Sequence, residues 1–340
     1  MSDATWAAVL LWALVFVYAM AGSVDFGSGF WALWYAKRSD VQAAMVANRY
    51  LSPLWEVTNV FLVLFVVAIV GFFPNAAFTL GNLLLVPGNL ILILLTIRTV
   101  SMVYAHSAEH YQYALKFVSG IIGLFVPALL LTVLPIAQGG FIQIIDNRIT
   151  LSQSNLFSSP ATYSYIALGI FSELFLSSLI LGDYARMVDD QSAFFTYRRK
   201  ALWLGPATIV AALICLWSIS ATADWLRQGL FSQGPWFLLS GVCFVFGLAM
   251  VLRADKTSNK GYRIGVIAIM LQYLLAMFAY GRAHMPYLVY PIVTVYNSFT
   301  NVQMFRAALV VLVIGIAILF PGFIWFWRLF LENRTYLHRS

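Results

Sequence analysis

The chain has 340 residues, 62% of them hydrophobic and 10% charged, with a mean hydropathy of +0.85 and a net charge of +7. A soluble domain carries roughly 25% charged residues, so this composition excludes one and implies an integral membrane protein built of helices rather than barrel strands. The positive charge does not point to nucleic acid, because basic residues of a membrane chain collect in its cytoplasmic loops.

About 20 apolar residues cross a bilayer, and on that measure the first span is predicted near residues 5–35. Its start has neither a basic region nor a small-residue cleavage site, so it reads as a retained span and not a signal peptide. Late in it lies "GSVDFGSGF", residues 22–30, with Asp25 at its centre. The second span, near 53–73, opens on Ser52 and Pro53, an N-cap followed by the favoured first-turn proline, with Glu56 in the next turn. The third, near 79–103, has Arg98 close to its end. Further spans are predicted near 117–137, 161–182, 202–222, 236–253, 262–281 and 305–331, with Glu173 in the middle of the fifth. Cys215 and Cys243 lie inside apolar runs and suggest neither a disulfide framework nor a metal site.

Nine spans put the termini on opposite sides. Loops after odd-numbered spans, with the C-terminal tail, hold Lys37, Arg38, Arg49, Lys116, Arg186, Arg198, Arg199, Lys200, Arg253, Lys256, Lys260, Arg263, Arg334 and Arg339. The other face offers Arg148, Arg227, Arg282 and Arg306. The positive-inside rule therefore places the N-terminus outside and the C-terminus in the cytoplasm. The longest loops, 138–160 and 282–304, then lie outside with Gln138, Asn147, Tyr287, Tyr290 and Tyr296, and no soluble domain is expected. A faint repeat relates "WYAKRSD" leading to "SPLW" with "GDYARMVDD" leading to "RRKALWLGP". The predicted fold is thus a single all-α membrane domain over 1–340. It comprises a four-helix half at about 1–138, a second at about 160–282, and one peripheral helix at about 305–331.

Ionisable side chains inside spans are costly and face protein or water, so Asp25, Glu56, Arg98 and Glu173 are the functional candidates. The topology sets Asp25, Glu56 and Arg98 at similar depth on the cytoplasmic side, as an acid-and-arginine cluster able to line a hydrated proton path. There Arg98 would tune the acids, and Ser23, Ser28, Thr58 and Asn59 offer groups to order water. Plainer readings stand beside this one. Glu56 fits a helix-start acid, Arg98 fits a cation snorkelling to the interface, and Glu173 fits either a second relay or an interhelical hydrogen bond. His106 and His110 share the i, i+4 spacing of a metal pair but sit at a helix end without a third ligand, so a solvated face is expected. His284 and His338 fall in an outer loop and the tail, leaving no histidine in a predicted span to ligate haem. There is no Walker loop, dinucleotide fingerprint or serine elbow, and the glycines of "DFGSGF" suit close helix packing.

At "SVDFGSGF" and "SPLWEVTNVFLV" the sequence resembles subunit II of cytochrome bd-type quinol oxidases, in the shorter form found in Gram-positive bacilli, over essentially the whole chain. The wider family tends to show Asp-Gly-Phe-Asp-x-Gly in the first span, where this chain has Gly22 for the first acid and keeps Asp25 for the second. It also tends to show Pro-x-Trp-Asp-Gly-Asn in the second, where Pro53, Trp55 and Glu56 are followed by Val57 and Thr58. The resemblance implies a partner, subunit I, that holds haems b and d, oxidises quinol and reduces oxygen to water. This chain would bind no cofactor, and its acids would help deliver cytoplasmic protons. It also implies a bacterial cell membrane location, contact with lipid and the quinol pool, and a small accessory membrane subunit as a further candidate partner. Two rivals remain: a scaffold whose acids only pair across helices, and a proton-coupled secondary transporter.

Overall fold

The first apolar run forms α1 (Asp3–Tyr35), started by Ser2, whose hydroxyl accepts from the Thr5 N–H at 3.3 Å. The computed structural model describes residues 2–36, 40–107, 109–145, 148–219, 223–254 and 259–327. Within those ranges the side chains at 51–57, 106–109, 144–148, 259, 323 and 326–327 lie outside the description. The second helix, α2 (Val41–Phe72), begins about three turns before the span predicted from residue 53, so Ser52 and Pro53 lie inside it and do not open it.

The second span does not simply lead into the third. Pro74 lacks an N–H and pushes the residue before it out of the α region. Phe73 accordingly adopts φ −135° and ψ 64°, and α3 (Pro74–Leu83) leaves α2 at 119°. The backbone groups orphaned by this break are met from a distant segment: Thr300 N–H donates to Phe72 C=O at 2.9 Å, and Ala76 N–H donates to Ser298 Oγ at 2.7 Å. The third membrane helix is α4 (Leu85–Ser107), so residues 79–83, assigned by the sequence to the third span, belong instead to the turned helix.

α5 (Gln112–Leu131) is followed after Thr132 by the short α6 (Val133–Ala137). The long segment after it is more ordered than a plain loop. It forms a hairpin of β1 (Ile142–Ile145) and β2 (Arg148–Leu151), paired from Ile142–Leu151 to Ile145–Arg148, and then α7 (Gln153–Ser158). Ser159 caps α8 (Pro160–Met187), whose first residue is the favoured proline. α9 (Gln191–Ile219), α10 (Asp224–Ser232), α11 (Gly234–Arg253) and α12 (Asn259–His284) follow. The second outer segment holds β3 (Tyr287–Val289), β4 (Val293–Thr294) and α13 (Val295–Ser298), where Thr294 and Asn297 form a reciprocal capping box. α14 (Val302–Trp327) comes last.

Helix α1 is central, packed on α2, α5 and α8, while α4 packs on α5. Beyond it, α8 packs on α9 and α11 on α12, whereas α14 makes small contacts with α1 and α2. At the end bearing Arg186, Arg198 and Arg263, aromatic side chains from α1, α2, α8, α9 and α12 fill the largest core: Trp31, Tyr35, Tyr50, Tyr184, Tyr197 and Tyr262. Arg198 Nε donates to Val251 C=O at 2.9 Å, pinning the cationic end of α9 to the carbonyl end of α11. A second core, at the opposite end, joins Leu11, Phe72, Phe73, Leu156, Val289 and Phe305 beneath the hairpins. Gly139, at φ +88°, presses so closely on Tyr290 that a Cβ would lie 2.4 Å from its carbonyl oxygen, so only glycine fits there.

Candidate functional site: a buried acid and arginine between helices

Asp25 sits on α1 ten residues before the helix end, or about 15 Å in, and its side chain is 1% exposed. Arg98 on α4 is 4% exposed and grips it from both sides. Nη2 donates to Oδ1 at 2.8 Å, Nη1 donates to Oδ2 at 3.1 Å, and Nη2 also reaches the Asp25 carbonyl at 3.3 Å. The fork geometry is the strong form of the carboxylate–guanidinium contact, and the guanidinium also lies 4.4 Å over the Phe26 ring. The cation is therefore held within the protein through its two terminal nitrogens, and the snorkelling reading of Arg98 is set aside.

Small residues let the helices come this close. A Cβ on Gly123 of α5 would stand 3.0 Å from Phe26 C=O and 3.7 Å from Arg98 Nε, so the bare backbone leaves room for the guanidinium. A Cβ on Gly27 of α1 would stand 2.3 Å from Ser177 Oγ and 3.2 Å from Glu173 C=O, which seats α8 directly against the turn that carries Asp25. Ser177 completes that contact by accepting from Trp31 Nε1 at 3.0 Å and donating to Glu173 C=O at 2.7 Å.

The other predicted residues are placed as follows. Thr58 is buried on α2, its methyl 3.8 Å from where a Gly22 Cβ would be. Ser23 and Asn59 are half-buried and neither is hydrogen-bonded to the ion pair, while Ser28 donates to Val24 C=O at 2.6 Å. Position 56 belongs to α2, but the Glu56 side chain lies outside the described residues. Glu173 is 0% exposed, and neither carboxylate oxygen has a hydrogen-bond partner among the described residues, so the interhelical hydrogen bond does not form. Tyr18, two turns before Asp25 on the same helix face, also has a buried hydroxyl without a partner, as does Arg98 Nε. Sequence reasoning passed over Tyr18, although the spacing 18, 22, 25 was the available signal.

Among the described residues the histidines do not assemble a metal centre. His110 is exposed in a one-turn 3-10 helix, Glu109–Tyr111, outside α4, so the predicted i, i+4 face is not a continuous helix. His284, expected in a loop, ends α12 and is buried, its Nδ1 N–H donating to Tyr287 C=O at 2.8 Å. Its ring packs edge-on to Trp225, which stacks on Tyr290 at 4.5 Å. Among the described residues no group of three or more His, Cys, Asp or Glu side chains is placed to hold a metal ion, and the two described histidines lie at opposite ends of the bundle.

Residues 3–330 match the family model described as cytochrome bd terminal oxidase subunit II. A protein of Bacillus subtilis (strain 168), named as a cytochrome bd menaquinol oxidase subunit II, is 42% identical over 343 residues, covering 100% of this chain and 99% of that one. A chain in the structure of bd oxidase from Geobacillus thermodenitrificans superposes with a TM-score of 0.83 at 34% identity, covering 98% of this chain and 100% of the other.

Proposed function

Because the chain belongs to the cytochrome bd terminal oxidase subunit II family, we propose that it is the haem-free subunit of a menaquinol oxidase, supporting subunit I and leading cytoplasmic protons toward it. The quinol type follows the name of the Bacillus subtilis relative. Haems b and d, bound in subunit I, supply the electron transfer from quinol and the reduction of oxygen to water. This chain's part is to hold that partner in the membrane and to offer a polar route through its own apolar bundle.

In this reading the chain crosses a bacterial membrane nine times, with α2 as the second crossing and α3 lying beyond it. The N-terminus is outside and the end with Arg186, Arg198 and Arg263 is cytoplasmic. Helices α1, α2, α4 and α5 form the first four-helix half (about 1–138) and α8, α9, α11 and α12 the second (about 160–282), with α14 as the extra helix exposed to lipid or to a small accessory subunit. Glu56, about four turns into α2, receives protons from the cytoplasmic side, Asp25 passes them inward, Arg98 sets the charge balance, and Ser23, Thr58 and Asn59 order water along the way.

The observation that carries this reading is the Asp25–Arg98 pair, an acid and a cation sealed within an otherwise apolar bundle. Replacing Asp25 by Asn in the assembled oxidase is expected to lower oxygen-reducing turnover while haem spectra stay intact; unchanged turnover would sink the proton path. The two-pronged closure of the pair favours a second reading, a scaffold tie between α1 and α4. Loss of haem or of assembly in the same variant would select that reading.

A further inference from the structure

Four polar side chains lie on α1, α4 and α8, three helices that all pack on α5. Asp25 and Arg98 engage each other at both carboxylate oxygens. Around them Arg98 Nε, the Tyr18 hydroxyl and both oxygens of Glu173 are buried without hydrogen-bond partners among the described residues. Beyond their burial, Glu173 and Tyr18 both lie within electrostatic reach of Arg98 and Asp25. Gly22, between Tyr18 and Asp25 on their common face, contributes no side chain, and Gly27 brings the backbone of Glu173 against α1.

Buried polar groups in native proteins find partners, and three donors and acceptors left open together mark a place where water or a proton is exchanged. A carboxylate with two free oxygens costs too much to keep inside an apolar bundle for packing alone. The guanidinium occupies both oxygens of Asp25, whereas both oxygens of Glu173 stand open among the described residues.

We propose that Glu173 is the proton-loading group of this site, with Tyr18 and Arg98 Nε holding the bridging water between it and Asp25. A proton arriving along the Asp25 side is transferred through that water to a Glu173 oxygen, giving a neutral carboxylic acid beside a neutral ion pair. When it leaves toward subunit I, the site gains one negative charge, which the next cytoplasmic proton cancels. No other bond is made or broken. This rests on the proton-uptake reading above.

The test uses the whole oxidase, with subunit I, carrying Glu173→Gln, Glu173→Asp or Asp25→Asn, reading haem content, oxygen consumption and charge uptake in liposomes. Glu173→Gln is expected to assemble with full haem and turn over at least about tenfold more slowly, with Glu173→Asp restoring most of the rate. Wild-type turnover in Glu173→Gln beside a slowed Asp25→Asn overturns the role of Glu173 and leaves the Asp25 path standing. Full turnover in both overturns the two together. Haem loss in both Glu173 variants makes Glu173 a packing residue and overturns the proposal. Should only Glu173→Gln fail to assemble, the pH profile of turnover in Glu173→Asp decides: a shifted profile supports a proton-loading acid, and an unshifted one overturns it.

Discussion

At the scale of single residues, the Asp25–Arg98 pair has an asymmetry that can be measured. Taking away one partner of a buried pair strands the other as an uncompensated charge, which typically costs about 3–5 kcal/mol. Arg98→Leu is therefore expected to lower the thermal midpoint or the yield of the assembled oxidase sharply. Adding Asp25→Asn to it should recover part of the loss, because the two effects are coupled and do not add. If the double variant is as unstable as the sum of the singles, the pair is not what holds α1 to α4. The pair itself was legible in the sequence: an acid and an arginine in apolar runs stand out by cost alone, and depth counting put them at one level. Glu173 was visible only as an isolated anomaly, because nothing in its own helix says that Gly27 of α1 will press against it. Tyr18 stood at the readable spacing 18, 22, 25 but was passed over, since a tyrosine in a membrane helix is ordinary until its hydroxyl is seen to lack a partner among the described residues.

At the scale of the elements, glycine spacing on α1 decides how near α8 can come. Gly27→Ala would drive a methyl into Ser177 Oγ and Cβ, at 2.3 and 2.5 Å, neither of which is the end of a flexible chain. Such overpacking is expected to destabilise the complex by about 1–3 kcal/mol. Ser177→Gly on top of it should return much of the loss, as seen by thermal unfolding of the detergent-solubilised complex. A Gly27→Ala protein that melts with the wild type would mean that the helices separate without cost. The helices themselves were largely readable from apolar run length, but the start of α2 was not: Ser52 and Pro53, which read as its cap and first turn, lie inside a helix that begins at Val41. The predicted second span stops at 73, but the turned helix Pro74–Leu83 was not foreseen, because its stitching by Ser298 and Thr300 comes from more than two hundred residues away. The two hairpins were equally hidden, being too short for alternation to stand out against aromatic loop residues.

At the scale of the whole molecule, the proposed orientation makes a direct prediction. A cysteine placed at exposed Ser154, in α7, should react with a membrane-impermeant maleimide in intact cells, and one at exposed Ser192, at the start of α9, only after the membrane is opened. The reverse pattern would invert the topology. Cys215 is buried and Cys243 half-buried within long helices, so neither native thiol should obscure the result. Orientation also fixes how the membrane voltage meets the acid and arginine. Gripped at both oxygens, they form a dipole with no net charge, so a transmembrane field can twist the pair but cannot drag it along the normal. A proton passing beside it feels the full force, about 2.3 kcal/mol per 100 mV for a complete crossing. The pairing of Asp25 with Arg98 would thus make the bundle electrically still, with the proton as its moving part.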